Sequence, residues 1–174
     1  MRVAGIHGRR TMVTVRWRLD DDLRKVEALI VEAGWATMAG SFRRSKRPCL
    51  VAEGTDGDIV GFIQGLVDGY PPDGRIFNEC FGPFEHVDPP HCKIDWICVS
   101  KRARRTGVGR RLLHHFAVEA SERGCSHVAL KADESSDAGG RLAFFEKFGF
   151  YPLDPQQPEH LQGVDLATLI KLTA

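Results

Sequence analysis

The residues best placed to do chemistry run from Val99 to Arg111: Val99-Ser100-Lys101-Arg102-Ala103-Arg104-Arg105-Thr106-Gly107-Val108-Gly109-Arg110-Arg111. An apolar strand ends here, a basic loop follows, and an amphipathic helix begins at the glycines. A helix start presents main-chain N–H groups without intrahelical partners, at the positive end of the helix dipole. Glycine lets a ligand come close to that main chain. Lys101, Arg102, Arg104, Arg105, Arg110 and Arg111 add cationic charge around it. The chemistry this suits is anion binding, phosphate above all.

Three phosphate patterns compete. A Walker-type loop requires Lys and then Ser or Thr after its last glycine, where Arg110 and Arg111 stand. A dinucleotide fingerprint requires a third glycine three residues on, where Leu112 stands. The reading that remains is the pyrophosphate of coenzyme A. The plain alternative is a solvated basic loop followed by a glycine-capped helix.

The elements that must position this loop are legible on both sides. Val13 to Arg18 alternates apolar and basic residues, as a strand with one buried face does. Asp20, Asp21 and Asp22 suit a first helical turn, and Leu23, Val26, Ile30 and Val31 recur at helical spacing. A second helix is expected over 35–44. Residues 48–53 and 59–67 read as a hairpin around the turn at 54–58, with Gly61 and Gly65 inviting a bulge. Residues 68–91 form a long proline-rich and acidic loop that also carries Phe77, Phe81 and Phe84. Residues 93–99 are an apolar strand. Val108, Leu112, Phe116 and Ala120 then mark a helix over 107–123, with Gly124 as its cap. A strand at 127–132, a short helix around Leu142 to Phe148, and closing strands at 150–151 and 164–172 complete a mixed α/β order.

Composition bounds the function. The chain has 174 residues, 43% hydrophobic and 27% charged, enough for one domain with a full core. A single domain is expected over 12–174, behind a loose tail at 1–11. Lys and Arg number 24 against 23 Asp and Glu, so no bulk field draws the chain to nucleic acid or membrane. The five cysteines, Cys49, Cys80, Cys92, Cys98 and Cys125, show no paired spacing. His86 and His91 near Cys80 and Cys92 match no common zinc pattern, so no metal is expected and the thiols read as reduced. The N-terminus lacks a signal peptide's apolar run, and no stretch reaches the ~20 apolar residues of a membrane span. The expected compartment is the cytoplasm.

The segment resembles the coenzyme A motif of the Gcn5-related N-acetyltransferase (GNAT) family: Gln or Arg, two residues, Gly, one residue, then Gly or Ala. Here it is Arg104-Arg105-Thr106-Gly107-Val108-Gly109. Phe144-Phe145-Glu146-Lys147-Phe148-Gly149-Phe150 is similar to the family's second signature. The resemblance implies a mixed central sheet, splayed beside its fourth strand and flanked by helices. It implies acetyl-CoA as acyl donor, with the main chain of Ile97, Cys98 and Val99 pairing with the pantetheine arm. N–H groups from Arg105 to Arg110 would hold the pyrophosphate, aided by Arg104. The expected activity is direct acyl transfer to a primary amine of a small molecule, peptide or protein.

Such transfer needs a neutral amine and therefore a base. Asp95 is the candidate, placed by strand alternation on the face of Ile97 and Val99. An ordinary ion-paired strand residue is the competing reading. Glu53, Glu79, Glu85, His86 and His91 are weaker candidates. Many family members carry a tyrosine acid where this chain has Phe145, which cannot donate a proton; Tyr151, Ser135 and Ser136 lie nearby in sequence. The acidic loop suggests a cationic acceptor. Partners are expected to be acyl-CoA and the amine, with a homodimer allowed. The alternatives are a non-catalytic acyl-CoA sensor of the same fold and a nucleic-acid binder using 101–111.

Overall fold

The structure, a computed structural model, describes residues 12–68, 91–131, 138–153 and 161–174. The tail at 1–11, and all but the two ends of the 68–91 loop, lie outside the described residues, as do Ser135 and Ser136. Seven strands form one mixed sheet in the order β1-β2-β3-β4-β5-β7-β6. They are β1 (Val13–Trp17), β2 (Cys49–Gly54), β3 (Ile59–Leu66), β4 (Cys92–Val99), β5 (His127–Lys131), β6 (Tyr151–Pro152) and β7 (Leu161–Asp165). Among the described residues the only parallel pairing is β4 with β5. A parallel pair needs a crossover, and α3 (Val108–Glu122) supplies it. The other α-helices among the described residues are α1 (Leu23–Glu32), α2 (Ala39–Arg44), α4 (Ala138–Glu146) and α5 (Leu166–Thr173).

Two cores clamp the sheet. On one face Val108, Leu112, Leu113, Phe116, Ala117 and Ala120 of α3 pack with Leu166 and Leu169 of α5 against the strands. On the other, Val26, Leu29 and Ile30 of α1 and Phe42 of α2 meet Val51, Phe62 and Cys98. Helix α3 ends as expected: Gly124 has φ +86°, its N–H bonds Ser121 O (2.9 Å), and the Cys125 N–H bonds Ala120 O (3.0 Å).

The acids before α1 do more than complement a dipole. Asp20–Asp22 form a single 3-10 turn, and Asp22 is buried. Its carboxylate accepts two bonds from Arg16 (2.7 and 3.0 Å) and one from the Leu19 N–H (2.7 Å). The Arg16 guanidinium holds the Asp22 carboxyl below the usual aspartate range.

One expected strand is half helix. Residues 164–172 split at Asp165, where β7 ends and α5 begins. The Asp165 carboxylate caps the new helix by accepting the Thr168 N–H (2.8 Å). Leu166, Leu169 and Thr173 are buried at spacings of three and four, so the apolar run follows a helical period.

Both glycines of β3 sit beside breaks in register. Ala52 pairs Gly61 while Glu53 pairs Ile59, which leaves Val60 without an opposite residue. Gln64 pairs Trp96 while Gly65 pairs Ile94, which leaves Asp95 without one. A Cβ on Gly65 would lie 2.0 Å from Lys93 O, so no side chain fits there.

Two predictions follow from this packing. Gly65→Ala should cost about 2–3 kcal/mol in a urea titration, because the backbone of β4 must retreat. A lowered native pKa means the unfolded chain binds more protons, so Asp22 contributes stability above its unfolded pKa. That stability is lost as pH falls through about 4 and below. Asp22→Asn should lose about 2 kcal/mol at neutral pH and show a shallower fall in urea midpoint on acidification than the parent.

Candidate active site

The anion loop forms as a tight basic turn. Lys101–Ala103 make a 3-10 turn, and the Thr106 hydroxyl donates to Ala103 O (2.7 Å). Arg105 and Gly107 both have left-handed backbone, at φ +64° and +91°. For Arg105 that is a strained conformation, held by the turn around it. Gly107 is the N-cap of α3, and no side chain caps the helix. The Arg111 N–H closes the first turn on Gly107 O (3.1 Å), so the N–H groups of Gly107, Val108, Gly109 and Arg110 have no place in the helical ladder. Such a set of main-chain donors can cradle an anion.

The structure sorts the six cations of this region. Arg110 donates to Ala174 O (2.6 Å) and Arg111 to Val13 O (3.0 Å), so both brace the fold. Arg102 pairs with Asp58 at 2.7 Å on the surface. The Lys101 N–H bonds the Glu32 carboxylate (2.6 Å). Arg104 bends back toward Val99 O (3.5 Å), and Arg104 and Arg105 are exposed.

Strand β4 connects this loop to a groove. It pairs with β3 as far as Val99, but with β5 only from Cys92 to Ile94. Beyond Ile94 its β5 side has no strand partner among the described residues, which leaves the edge of Asp95–Val99 open. Val99 reaches the loop: its Cγ2 lies 3.7 Å from where a Gly109 Cβ would be. A Cβ on Gly109 would also lie 3.0 Å from Phe144 Cζ, so the Phe144 ring would have to give way by a few tenths of an ångström.

At the other end of that edge lies a groove of about 680 Å³. Trp35, Met38, Phe42 and Trp96 form one wall, and Ile97, Leu130 and Phe145 lie toward the open side of β4. Ser41 and Ser45 bring hydroxyls. Asp95 is the one carboxylate of the lining among the described residues. It pairs with Arg47 and with Lys93 Nζ (3.3 Å).

The bulge interrupts the alternation on which the expected face of Asp95 rested. Strict alternation would put it on the face of Ile97 and Val99. Instead Ile94 and Ile97, three residues apart, both join the core beneath α3, while Trp96 and Cys98 join the opposite one. The inserted Asp95 reaches Arg47, whose carbonyl also accepts from Gln64 Nε2 (3.5 Å).

The remaining candidates separate. Ile97 lines the groove and Val99 neighbours the loop, but the Cys98 side chain turns to the α1 core. Burial pushes the Cys98 thiol up to about 11, so it holds little thiolate near neutral pH. Phe145 is buried against Phe144 and Phe150, with ring centroids 5.3 Å apart in each pair. Tyr151 is exposed on β6 and absent from the groove lining. Glu53 pairs with Arg16 (2.6 Å), and His91 is buried at the start of β4. Glu79, Glu85 and His86 lie outside the described residues. Trp35, Arg47 and Arg141 are groove residues that the sequence reading passed over. A lone tryptophan and two arginines carry no motif, and strand pairing alone brings Arg47 to a residue 48 positions away.

Comparison with known proteins agrees with this architecture. Residues 13–150 match the model of the acetyltransferase (GNAT) family. The chain belongs to that family, whose acyl donor is acetyl-CoA. No curated protein matches the sequence. Among solved structures, the GNAT family N-acetyltransferase YhbS from Escherichia coli, in complex with CoA, is 17% identical. It aligns over 91% of this chain and 85% of its own with a TM-score of 0.65. An acetyltransferase of the GNAT family from Staphylococcus aureus Mu50 is 11% identical over 89% of this chain and 99% of its own, TM-score 0.65. The ribosomal-protein-S18-alanine N-acetyltransferase from Escherichia coli is 18% identical over 89% and 94%, TM-score 0.61. At these identities the likeness is one of fold.

Proposed function

We propose that the chain is an acetyl-CoA-dependent N-acetyltransferase that transfers the acetyl group directly to a primary amine. The observation that carries this reading is the uncapped start of α3 standing at one end of the open β4 edge, with a groove at the other. N–H groups from Arg105 to Arg110 would take the pyrophosphate, with the exposed Arg104 and Arg105 adding charge. The main chain of Ile97, Cys98 and Val99 would take the pantetheine arm as an added strand would. Donor and acceptor then meet where β4 enters the groove.

The bound thioester supplies an acyl carbon open to amine attack. The chain's own task is to hold that amine and strip its proton. Asp95 is the residue we assign to this, acting on the ammonium directly or through water. A covalent route through the strand's own cysteine has little support, because Cys98 is buried away from the groove with a raised pKa. Phe145 offers no acid, so solvent protonates the departing thiolate; a thiol with a pKa of about 8.5 is a good leaving group. Phe145 is also the single observation favouring a second reading, an acyl-CoA sensor without turnover. Release of free thiol with any amine excludes that reading. The compartment we expect is the cytoplasm, in keeping with buried free thiols.

Two measurements test the assignment. Gly107→Val forces a β-branched residue into left-handed backbone at the cradle. It should weaken coenzyme A binding in calorimetry by about ten-fold or more, roughly 1.4 kcal/mol, with a smaller effect on acceptor KM. Asp95→Asn should lower acceptor kcat/KM by about ten-fold near neutral pH and spare coenzyme A affinity. The deficit should shrink toward pH ~10, where an alkylamine loses its proton unaided. A pH profile parallel to the parent's would remove Asp95 as the base.

A further inference from the structure

The last turn of α1 and the residues after it run along the C-terminal half of β4 and past its end. Leu29 O accepts from the Cys98 thiol (3.7 Å), Trp35 meets Trp96 edge to face at 5.5 Å, and the Glu32 carboxylate accepts the Lys101 N–H at 2.6 Å. The third contact falls on the segment that leads into the cradle. Lys101 opens the 3-10 turn Lys101–Ala103, whose own bonds run from the Ala103 N–H to Ser100 O (2.9 Å) and from the Arg104 N–H to Lys101 O (3.4 Å). The Lys101 N–H has no acceptor within that turn, and the Ser100 side chain does not cap it. Glu32, 69 positions away in the chain, supplies one.

Two features set this bond apart from a chance surface contact. It acts on a run of constraints that ends at the cradle. Ala103 is buried in the core beneath α3, its carbonyl accepts from the Thr106 hydroxyl (2.7 Å), and Arg105 between them is held at φ +64°. Left-handed backbone at a non-glycine residue persists only where its surroundings over-determine it. The second feature is the sign of the charge. A carboxylate beside a diphosphate site opposes the ligand's own charge, so electrostatics alone would favour an uncharged residue here.

Resting on the transferase reading above, we propose that Glu32 is a positioning residue for coenzyme A. Its carboxylate oxygen fixes Lys101 and, through the turn, the main-chain donors from Arg105 to Arg110. It acts as a hydrogen-bond acceptor and not as a charge, which separates its role from that of Arg104 and Arg105 beside the cradle. Glu32 is exposed and is the last residue of its helix, so replacing it removes no core packing.

The test is calorimetry of coenzyme A on the full chain, with Glu32→Ala and Glu32→Gln beside the parent, and urea titrations of all three. Glu32→Ala deletes both acceptor and charge; Glu32→Gln deletes the charge and keeps a carbonyl oxygen. Glu32→Ala should weaken coenzyme A binding about five-fold, the scale of one lost hydrogen bond, while Glu32→Gln stays within about two-fold of the parent. The urea midpoints of both variants should match the parent's, as at other exposed positions. Four results overturn the role of Glu32 and leave the transferase reading standing: unchanged affinity in Glu32→Ala, equal weakening in both variants, tighter binding in both as a pure charge would give, or a loss explained by a lowered urea midpoint. A parent chain that binds no coenzyme A overturns that reading and this proposal together.

Discussion

Among the described residues, strand β4 pairs with β3 from Lys93 to Val99, the bulged Asp95 excepted, and with β5 for three residue pairs. That asymmetry is the constraint on which the rest depends. A strand edge open to solvent at the centre of a sheet carries unpaired N–H and C=O groups and is costly to bury unfilled. It also offers a ligand a ladder already laid out. The open stretch begins next to the Asp95 bulge and ends where Val99 approaches Gly109, so one edge joins groove to cradle. Helix α3 is bound to the same geometry, because it must leave the end of β4 and cross to β5 in parallel.

Close approach of backbones keeps this arrangement in place. Gly61 lets α3 settle on β3, where an added Cβ would lie 3.1 Å from Val108 Cγ1. Gly65 lets β4 press against β3 at the bulge. Gly109 lets Phe144 of α4 cover the start of α3. The aromatic cluster of Phe144, Phe145, Phe148 and Phe150 thus stabilises the helix that carries the cradle. In that cluster Phe145 is employed as packing, which accounts for its apolar side chain.

Most of the elements could be read from periodicity and punctuation: the hairpin, β4, α3 with its Gly124 cap, and the loop before it. Two features could not. The change from strand to helix at Asp165 comes just before a mostly apolar stretch, Leu166 to Leu172, whose composition suits either structure; the capping role of Asp165 decides it. The face of Asp95 depended on unbroken alternation, and a one-residue bulge is invisible to a period of two. Gly65 was the available signal, since a glycine inside a strand marks close backbone approach. The groove was the least legible part, because Trp35, Arg47, Asp95 and Arg141 come from four separate elements of the chain.

Charge near the cradle also needs its partners before it means anything. Read as composition, six cations around two glycines look like a phosphate clamp. Read as contacts, Arg110 and Arg111 tie the start of α3 to the main chain at Ala174 and Val13, and Arg102 answers Asp58. What faces outward is the main chain of the turn, with Arg104 and Arg105 beside it. A grip made of backbone N–H groups is fixed in geometry by the left-handed residues at Arg105 and Gly107 and loses no side-chain entropy on binding. Arg110 and Arg111 hold that turn to the rest of the fold through carbonyls distant in sequence, so the start of α3 is fixed from outside the turn as well as from within it.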